Sequence, residues 1–216
     1  MLSIFDKLYL NRFSDAERKA KKVIWEVLCR DFFQQFISPE DTVLDLGAGS
    51  CEFINFIRAN KKIAIDELTI AEFAEKDVEV LDKIENIEHN SVDVIFMSNF
   101  LEHLLSFEDV LSNLTRVKEV LKNKGKLILI GPNMSFAYKN YWIFIDHRIP
   151  LTDLSVAELL RALDFKLIKV IKKFLPYTTK SKYPKWKWLV KVYLKVPILW
   201  NIFGKQYLIL CEKETQ

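Results

Sequence analysis

The stretch VLDLGAGSCEFINFI, residues 43–57, decides the fold of this protein. A short apolar run leads through Asp45 to glycines at positions 47 and 49, and a helical pattern begins near Glu52. A buried strand, a glycine turn and a helix in this order are typical of the first unit of an open α/β sheet. A dinucleotide-binding loop would carry a third glycine where Glu52 stands, and a carboxylate there repels a pyrophosphate. The loop therefore favours a ligand without phosphate.

Short apolar runs recur along the chain, as expected for buried parallel strands. Helical patterns lie between most of them, which predicts an α/β protein with a doubly wound sheet. The runs cover residues 42–47, 62–66, 78–82, 92–98 and 126–131, and a strand-like segment closes the chain at 205–213.

Helix boundaries are indicated by capping residues. Ser14 with Glu17 forms a capping box ahead of an amphipathic helix that precedes the sheet. Residues 106–123 form the clearest helical pattern, with Ser106 and Asp109 as a capping pair and Gly125 as the stop. A further helix is predicted at 155–163, and it leads into FKLIKVIKKF.

Two more acids stand at predicted strand ends, Asp66 after the second strand and Asp82 after the third. The carboxyl ends of strands are where open α/β sheets bind ligands. S-adenosylmethionine carries a sulfonium and an ammonium against a single carboxylate, so acids around the loop attract it. The sequence therefore predicts this cofactor, with Asp66 accepting hydrogen bonds from the ribose hydroxyls and Asp82 reaching the adenine amino group.

Each of these acids has an alternative interpretation. Asp45 could cap the following helix. Asp77 or Glu79 could take the place assigned to Asp82, because strand ends are hard to place from sequence. Glu52 could be exposed on the first helical turn and interact only with the helix dipole.

The motifs resemble the class I S-adenosylmethionine-dependent methyltransferases from Asp41 to Asn133, and more loosely to the end of the chain. SVDVIFMSNFLEHL is similar to the fourth motif of that superfamily, and GKLILIGPN to its fifth strand. The resemblance implies a seven-stranded mixed sheet with helices on both faces and S-adenosylmethionine as cofactor. By this resemblance Asp45, Gly47, Ala48 and Gly49 hold the methionine part of the cofactor. Asp66 holds its ribose, and Asp82 and Lys83 lie at the edge of its adenine. Ser98 and Asn99 belong to the fourth motif.

A narrower resemblance comes from GAGSCEFIN, SNFLEHL, YWIFIDHRIPLT, FLPYTTK and GKQ. These segments resemble a bacterial group of such enzymes tied to surface-glycan biosynthesis. We expect methyl transfer to a small-molecule or glycan acceptor, at a hydroxyl. Two positions depart from the superfamily pattern. Cys51 replaces a frequent third glycine of the loop, and DELTIAEF lacks the Asn-Pro that often follows the ribose acid.

A hydroxyl acceptor needs a group that takes its proton, and histidine is the usual one. His147, in YWIFIDHRIP beside Asp146, is the first candidate, and His103 at the end of the fourth strand is the second. The alternative is an ion pair between Asp146 and Arg148 that leaves His147 exposed. His89 is expected in solvent, and no metal is expected, because no cluster has ligand spacing in the sequence.

Charge is divided unevenly along the chain. Residues 165–211 contain eleven Lys and no Asp or Glu, so the rest, with 21 basic and 29 acidic residues, has a balance of −8. We divide the chain into an N-terminal helical cover, 1–40, and a cofactor-binding domain, 41–216, with a basic aromatic insertion at 178–204 before the last strand. Read as a helix from Lys185, the insertion is either a soluble lid or a surface for peripheral contact with an anionic membrane. Nucleic acid is not expected, because the acidic body opposes a polyanion.

A cytoplasmic location is expected, because the sequence contains neither a signal-peptide core nor 18 consecutive apolar residues. Its three cysteines are far apart and are expected to be reduced and buried. Two other functions stay open at this point: a nicotinamide-dependent oxidoreductase or epimerase, and a protein that binds the cofactor without turnover.

Overall fold

The computed structural model describes residues 4–66, 71–178 and 186–215. In these parts of the chain seven strands form one sheet with the order β3-β2-β1-β4-β5-β7-β6. The first five strands are parallel to one another, whereas β7 is antiparallel to both β5 and β6. The predicted doubly wound, seven-stranded mixed sheet is confirmed. The strands are β1 Thr42–Leu46, β2 Lys61–Ile65, β3 Val78–Leu81, β4 Val92–Ser98, β5 Leu121–Pro132, β6 Phe165–Leu175 and β7 Gln206–Lys213.

Helices cover both faces of the sheet. On one face α4 and α6 pack on a cluster that includes Leu44, Leu114 and Leu160. On the other face α2 and α3 share a second cluster with Phe96 and Phe174 of the sheet. The α-helices are α1 Ile4–Arg12, α2 Asp15–Asp31, α3 Glu52–Phe56, α4 Phe107–Val120, α5 Met134–Ala137, α6 Asp153–Ala162, α7 Lys187–Lys195 and α8 Pro197–Phe203.

The predicted helix starts agree with the structure where capping residues mark them. Ser14 and Glu17 form the capping box of α2, and the Ser106 hydroxyl accepts the Asp109 N–H at the start of α4. Side-chain oxygens at these positions satisfy amide groups that have no partner inside the helix.

The predicted end of α4 is wrong by three residues. The helix stops at Val120, and Leu121 already belongs to β5, where it pairs with Val92. Gly125, expected to be the helix stop, lies inside this strand, and a Cβ there would be 2.7 Å from the Lys122 carbonyl oxygen. A close backbone approach, not a helix end, therefore requires this glycine.

The described part of the basic insertion, residues 186–204, lies between β6 and β7 and forms two helices, because Pro197 begins α8. Lys185, the expected helix start, lies outside the described residues. Lys187 and Lys191 form ion pairs with Glu26 and Asp31 of α2, whereas Trp188 and other apolar side chains are exposed.

Candidate active site

The glycine loop connects β1 to α3 at the carboxyl edge of the sheet. The amides of Gly47 and Ala48 donate to the Ile65 carbonyl at 2.8 and 3.1 Å, which ties the loop to the end of β2. Gly47 has a φ of 81°, and Gly49 has a φ of 55°. A Cβ at Gly47 would lie 2.6 Å from the Phe100 ring, so the closest obstacle there belongs to the protein itself.

Cys51 ends the loop in the left-handed conformation, with a φ of 57°. Glycine adopts this conformation at lower cost than any other residue, which explains why a third glycine is frequent at this place. The side chain of Cys51 is fully buried. Burial, together with the charges of nearby carboxylates, raises the pKa of its thiol to about 12. Cys51 is therefore a protonated packing residue.

Three acids surround the loop. The Gly49 amide donates to Asp66 Oδ2 at 2.7 Å, so Asp66 orders the loop from the end of β2. Asp45 is buried, and its pKa is raised by desolvation first and then by the charges of Asp66 and Glu52. Carboxylates that repel one another in a small space are stabilised by a cation.

Glu52 is neither exposed nor unpaired, as one alternative supposed. Its carboxylate contacts Lys21 of α2 at 3.1 Å and accepts a hydrogen bond from the Ser50 hydroxyl at 3.0 Å. Its side chain is 12% exposed. Helix α2 thus offsets part of the charge that the loop sequence alone presents.

The remaining predicted cofactor residues lie along the same edge of the sheet. Ile65 and Leu81 are partners in the β2–β3 pair, so Asp66 and Asp82 follow neighbouring strand ends. Asp82 and Lys83 are exposed there. Ser98 ends β4, and Asn99 follows it with a φ of 53° and its amide bonded to the Ile130 carbonyl of β5.

A cluster of imidazole, phenol and carboxyl groups lies beyond the end of β4. The rings of His103 and His147 are 4.9 Å apart, and Tyr141 and Tyr177 lie 4.8 and 6.3 Å from His147 between centroids. The Glu102 carbonyl accepts the amides of residues 148 and 149, which holds the loop after α5 against the end of β4. This main-chain contact brings His103 and His147 together.

His147 is buried, at 7% exposure, not exposed as the alternative required. Burial and the neighbouring His103 lower its pKa to about 4, and burial also lowers the pKa of His103. Asp146 pairs with Arg12 of α1 at 2.6 Å, whereas Arg148 is exposed. The alternative, an ion pair between residues 146 and 148, is therefore wrong, because Asp146 pairs with Arg12 and so connects α1 to this loop.

Glu102 is the most buried acid of this cluster, at 1% exposure. Desolvation raises the pKa of its carboxyl to about 8. Its Oε1 atom has no hydrogen-bond partner among the described residues. A buried polar atom without a partner is costly, so this one calls for an explanation.

Comparison with known proteins places this geometry in a familiar fold. A sequence profile described as methyltransferase domain matches residues 44–129. An S-adenosylmethionine-dependent methyltransferase of Archaeoglobus fulgidus superposes with a TM-score of 0.65 at 19% identity, over 87% of this chain and 92% of that one. The chain has the class I methyltransferase fold.

Two other solved structures extend this similarity. A Thermotoga maritima methyltransferase, described as a possible histamine N-methyltransferase, gives a TM-score of 0.65 at 19% identity over 95% of this chain and 98% of that one. A chain from the complex that contains the Haloferax volcanii Trm112 methyltransferase activator gives a TM-score of 0.70 at 13% identity, over 99% of this chain and 100% of that one. No curated protein matches the sequence.

The methyltransferase domain match supports S-adenosylmethionine as the cofactor, and the residues of the site fit it. Asp45, Asp66 and Glu52 form a concentration of negative charge that suits a sulfonium and an ammonium better than a phosphate.

Sequence reasoning missed Arg12, Tyr141 and Glu102 as parts of the site. Arg12 is 134 positions from Asp146, and nothing in the local sequence connects the two. Glu102 was present in the quoted motif SNFLEHL, but only its burial reveals that its side chain points into the cluster.

Proposed function

We propose that this protein is an S-adenosylmethionine-dependent methyltransferase that acts on a hydroxyl of a small molecule or glycan. One observation carries the proposal: the glycine loop and the imidazole cluster are neighbours at one edge of the sheet. A Cβ at Gly47 would lie 2.6 Å from the ring of Phe100, and the Phe100 carbonyl accepts the amide of His103 at 3.1 Å. A cofactor site that borders on buried imidazoles suits an acceptor whose proton must be removed.

The chain's residues would divide the work as follows. Asp66 and the glycine loop hold the cofactor's ribose and methionine part, with Asp82 and Lys83 at the adenine edge and Ser98 and Asn99 at the end of β4. When bound, S-adenosylmethionine supplies the methyl group of its sulfonium, and the electron pair of the broken carbon–sulfur bond stays on sulfur. The protein mainly has to align the acceptor oxygen and exclude water.

His147, His103 and Asp146 remain the proposed catalytic residues, but their order changes. His103 Nδ1 is 3.1 Å from the Asp146 carbonyl and 3.5 Å from its carboxylate, which orients the ring. His103 is also the more accessible imidazole, with 30% of its side chain exposed. Since burial lowers the pKa of His147 to about 4, a rate limb at pH 6 to 7 is not expected from that residue.

Cofactor binding and turnover test the proposal separately. Calorimetric titration with S-adenosylmethionine should give a binding isotherm and titration with NAD should not, and the reverse would favour an oxidoreductase. Incubation with donor labelled in the methyl group and a fractionated cell extract should then label an acceptor. Binding without any labelled product would favour a cofactor-binding protein that has no turnover.

The exposed face of the insertion supports a peripheral membrane location, and hence a lipid-linked or other anionic glycan as acceptor. Apolar side chains point outward where α7 meets α8, and Lys195 is exposed beside them. They are Trp186, Trp188, Val192, Val196, Ile198, Ile202 and Phe203. Tryptophan and aliphatic side chains flanked by lysine are typical of interfacial helices. We propose that this face contacts the anionic cytoplasmic surface.

Vesicle co-sedimentation tests this location. Binding to anionic vesicles should exceed binding to neutral ones and fall with salt, and Trp188→Ser with Ile202→Ser should abolish it. Phe107→Ser, which alters an exposed apolar residue of α4 on the opposite face of the sheet, should have no effect. Equal recovery in the supernatant with both lipids would make the insertion a soluble lid. In the described residues, no helix has the length and apolarity to cross a bilayer.

A further inference from the structure

Three potential metal ligands meet at the imidazole cluster. Glu102, His103 and His147 each offer one ligand atom, and these atoms all lie within 4.8 Å of one another. The first two are adjacent in the sequence, but the third is 44 positions away, so only the folded chain assembles the group.

We propose that Glu102, His103 and His147 form a binding site for one divalent transition-metal cation, beside the proposed cofactor site. Two imidazoles and one carboxylate suit Zn²⁺, Fe²⁺, Co²⁺ or Mn²⁺. Three protein ligands leave coordination positions open for water or for an oxygen of a substrate.

The unpartnered oxygen of Glu102 points to a ligand. Glu102 Oε1 is fully buried and accepts no hydrogen bond among the described residues. No lysine or arginine of the described chain forms an ion pair with this carboxylate, and Arg12 pairs with Asp146 instead. A buried carboxylate is expected to be paired or to coordinate a metal. A cation bound at Oε1 would supply the missing partner.

The hydrogen bonds of the two imidazoles leave suitable nitrogens for coordination. His103 Nδ1 is 3.1 Å from the Asp146 carbonyl oxygen, an acceptor, so this nitrogen carries the proton. His147 Nδ1 is 3.4 Å from the Tyr177 hydroxyl, which donates its own proton to the Tyr141 carbonyl at 3.0 Å. The hydroxyl oxygen therefore accepts from His147. Both rings then present Nε2 as a lone pair, the arrangement that outer hydrogen bonds impose on metal-bound histidines.

The spacing is compatible with a small movement on binding. Ligand atoms about 2.1 Å from a tetrahedral ion lie about 3.4 Å from one another. The longest separation in the cluster, 4.8 Å or less, would have to shorten by about 1.4 Å at most. The side chain of His103, which is 30% exposed, has room for such a shift.

This inference deepens the proposed function and rests on it for the role of the cation. A hydroxyl oxygen bound to the cation has a lowered pKa and releases its proton to water. The oxygen then forms a bond to the methyl carbon, the carbon–sulfur bond breaks, and its electron pair remains on sulfur. His103 would act as a ligand, not as the base.

Metal binding is tested first, without any acceptor. The full chain is treated with chelator, dialysed and titrated with ZnCl₂ and MnCl₂ by calorimetry, and Co²⁺ is added to record its visible spectrum. We expect one ion per chain and a Co²⁺ spectrum of low coordination number. Glu102→Gln and His147→Asn should each weaken binding about 100-fold, whereas His89→Ala, at an exposed histidine elsewhere, should not change it.

Folding and cofactor binding serve as controls. Near-ultraviolet circular dichroism and affinity for S-adenosylmethionine identify any variant that has lost its structure, and two independent variants guard against that outcome. No saturable binding to the wild-type chain, or binding unaffected by both variants, would overturn the inference. Turnover that persists in chelator would refute the catalytic role of the metal while leaving the methyltransferase function intact. Metal binding without turnover would leave the metal site standing and refute the methyltransferase function.

Discussion

Replacement of Asp66 by alanine should weaken cofactor binding more than any other single change at the loop. The carboxylate accepts the Gly49 amide at 2.7 Å, and in the proposed complex it also accepts ribose hydroxyls. Hydrogen bonds to a charged group contribute about 1.5–3 kcal/mol each. Because Asp66 is only half-buried, we take that range for the whole variant, which corresponds to a loss of affinity of about 10- to 150-fold.

The assay is calorimetric titration with S-adenosylmethionine and with its demethylated product. Both carry the same ribose, so a ribose contact predicts the same factor for both ligands. Asp66→Asn keeps an oxygen that can accept the Gly49 amide, so it separates the ordering of the loop from the loss of charge. Asp77→Ala is the matched control, because Asp77 is exposed and pairs with Lys62 away from the loop.

An unchanged affinity for both ligands would refute the assignment of Asp66. A loss confined to S-adenosylmethionine would show that the carboxylate acts on the sulfonium charge and not on the ribose.

Other changes test the loop and the core. Gly47→Ala should reduce both thermal stability and cofactor affinity, because its Cβ would be 2.6 Å from Phe100 at a φ of 81°, and a wild-type melting temperature would contradict this. Asp45→Asn should raise the stability of the fold at pH 7 and lower its affinity for the cofactor. The pKa of Asp45 is higher in the folded than in the unfolded state. Its contribution to the free energy of unfolding is therefore fully present below the unfolded-state pKa of about 3.9, and it is lost as the pH rises through the folded-state pKa. Thermal melts from pH 4 to 8 should show a smaller decline in the variant. All three cysteines are buried, so a thiol reagent at pH 8 should label none of them in the native protein and three in guanidinium, and rapid native labelling would contradict the structure.

Local patterns in the sequence were sufficient for the fold class and for placing the candidate cofactor residues at one edge of the sheet. Strand runs, capping residues and the glycine loop act over a few neighbouring positions, so the succession of the first five strands and the strand-end positions of Asp45, Asp66 and Asp82 could be inferred before any contact was known. The end of α4 could not, because Leu121 is equally apolar in a helix or a strand and its pairing with Val92 decides between them.

By itself, then, the sequence determined which edge of the sheet carries the acids and which ligand their charge favours. Only the tertiary structure decided that Lys21 offsets Glu52, that Asp146 pairs with Arg12, and that Glu102 joins two histidines in a buried cluster. It also decided that α7 turns lysines toward α2 and apolar side chains outward. The physical reason is that the charge state of a group and the exposure of a helix face depend on partners distant in the chain, and these become neighbours only when the sheet and its covering helices pack together.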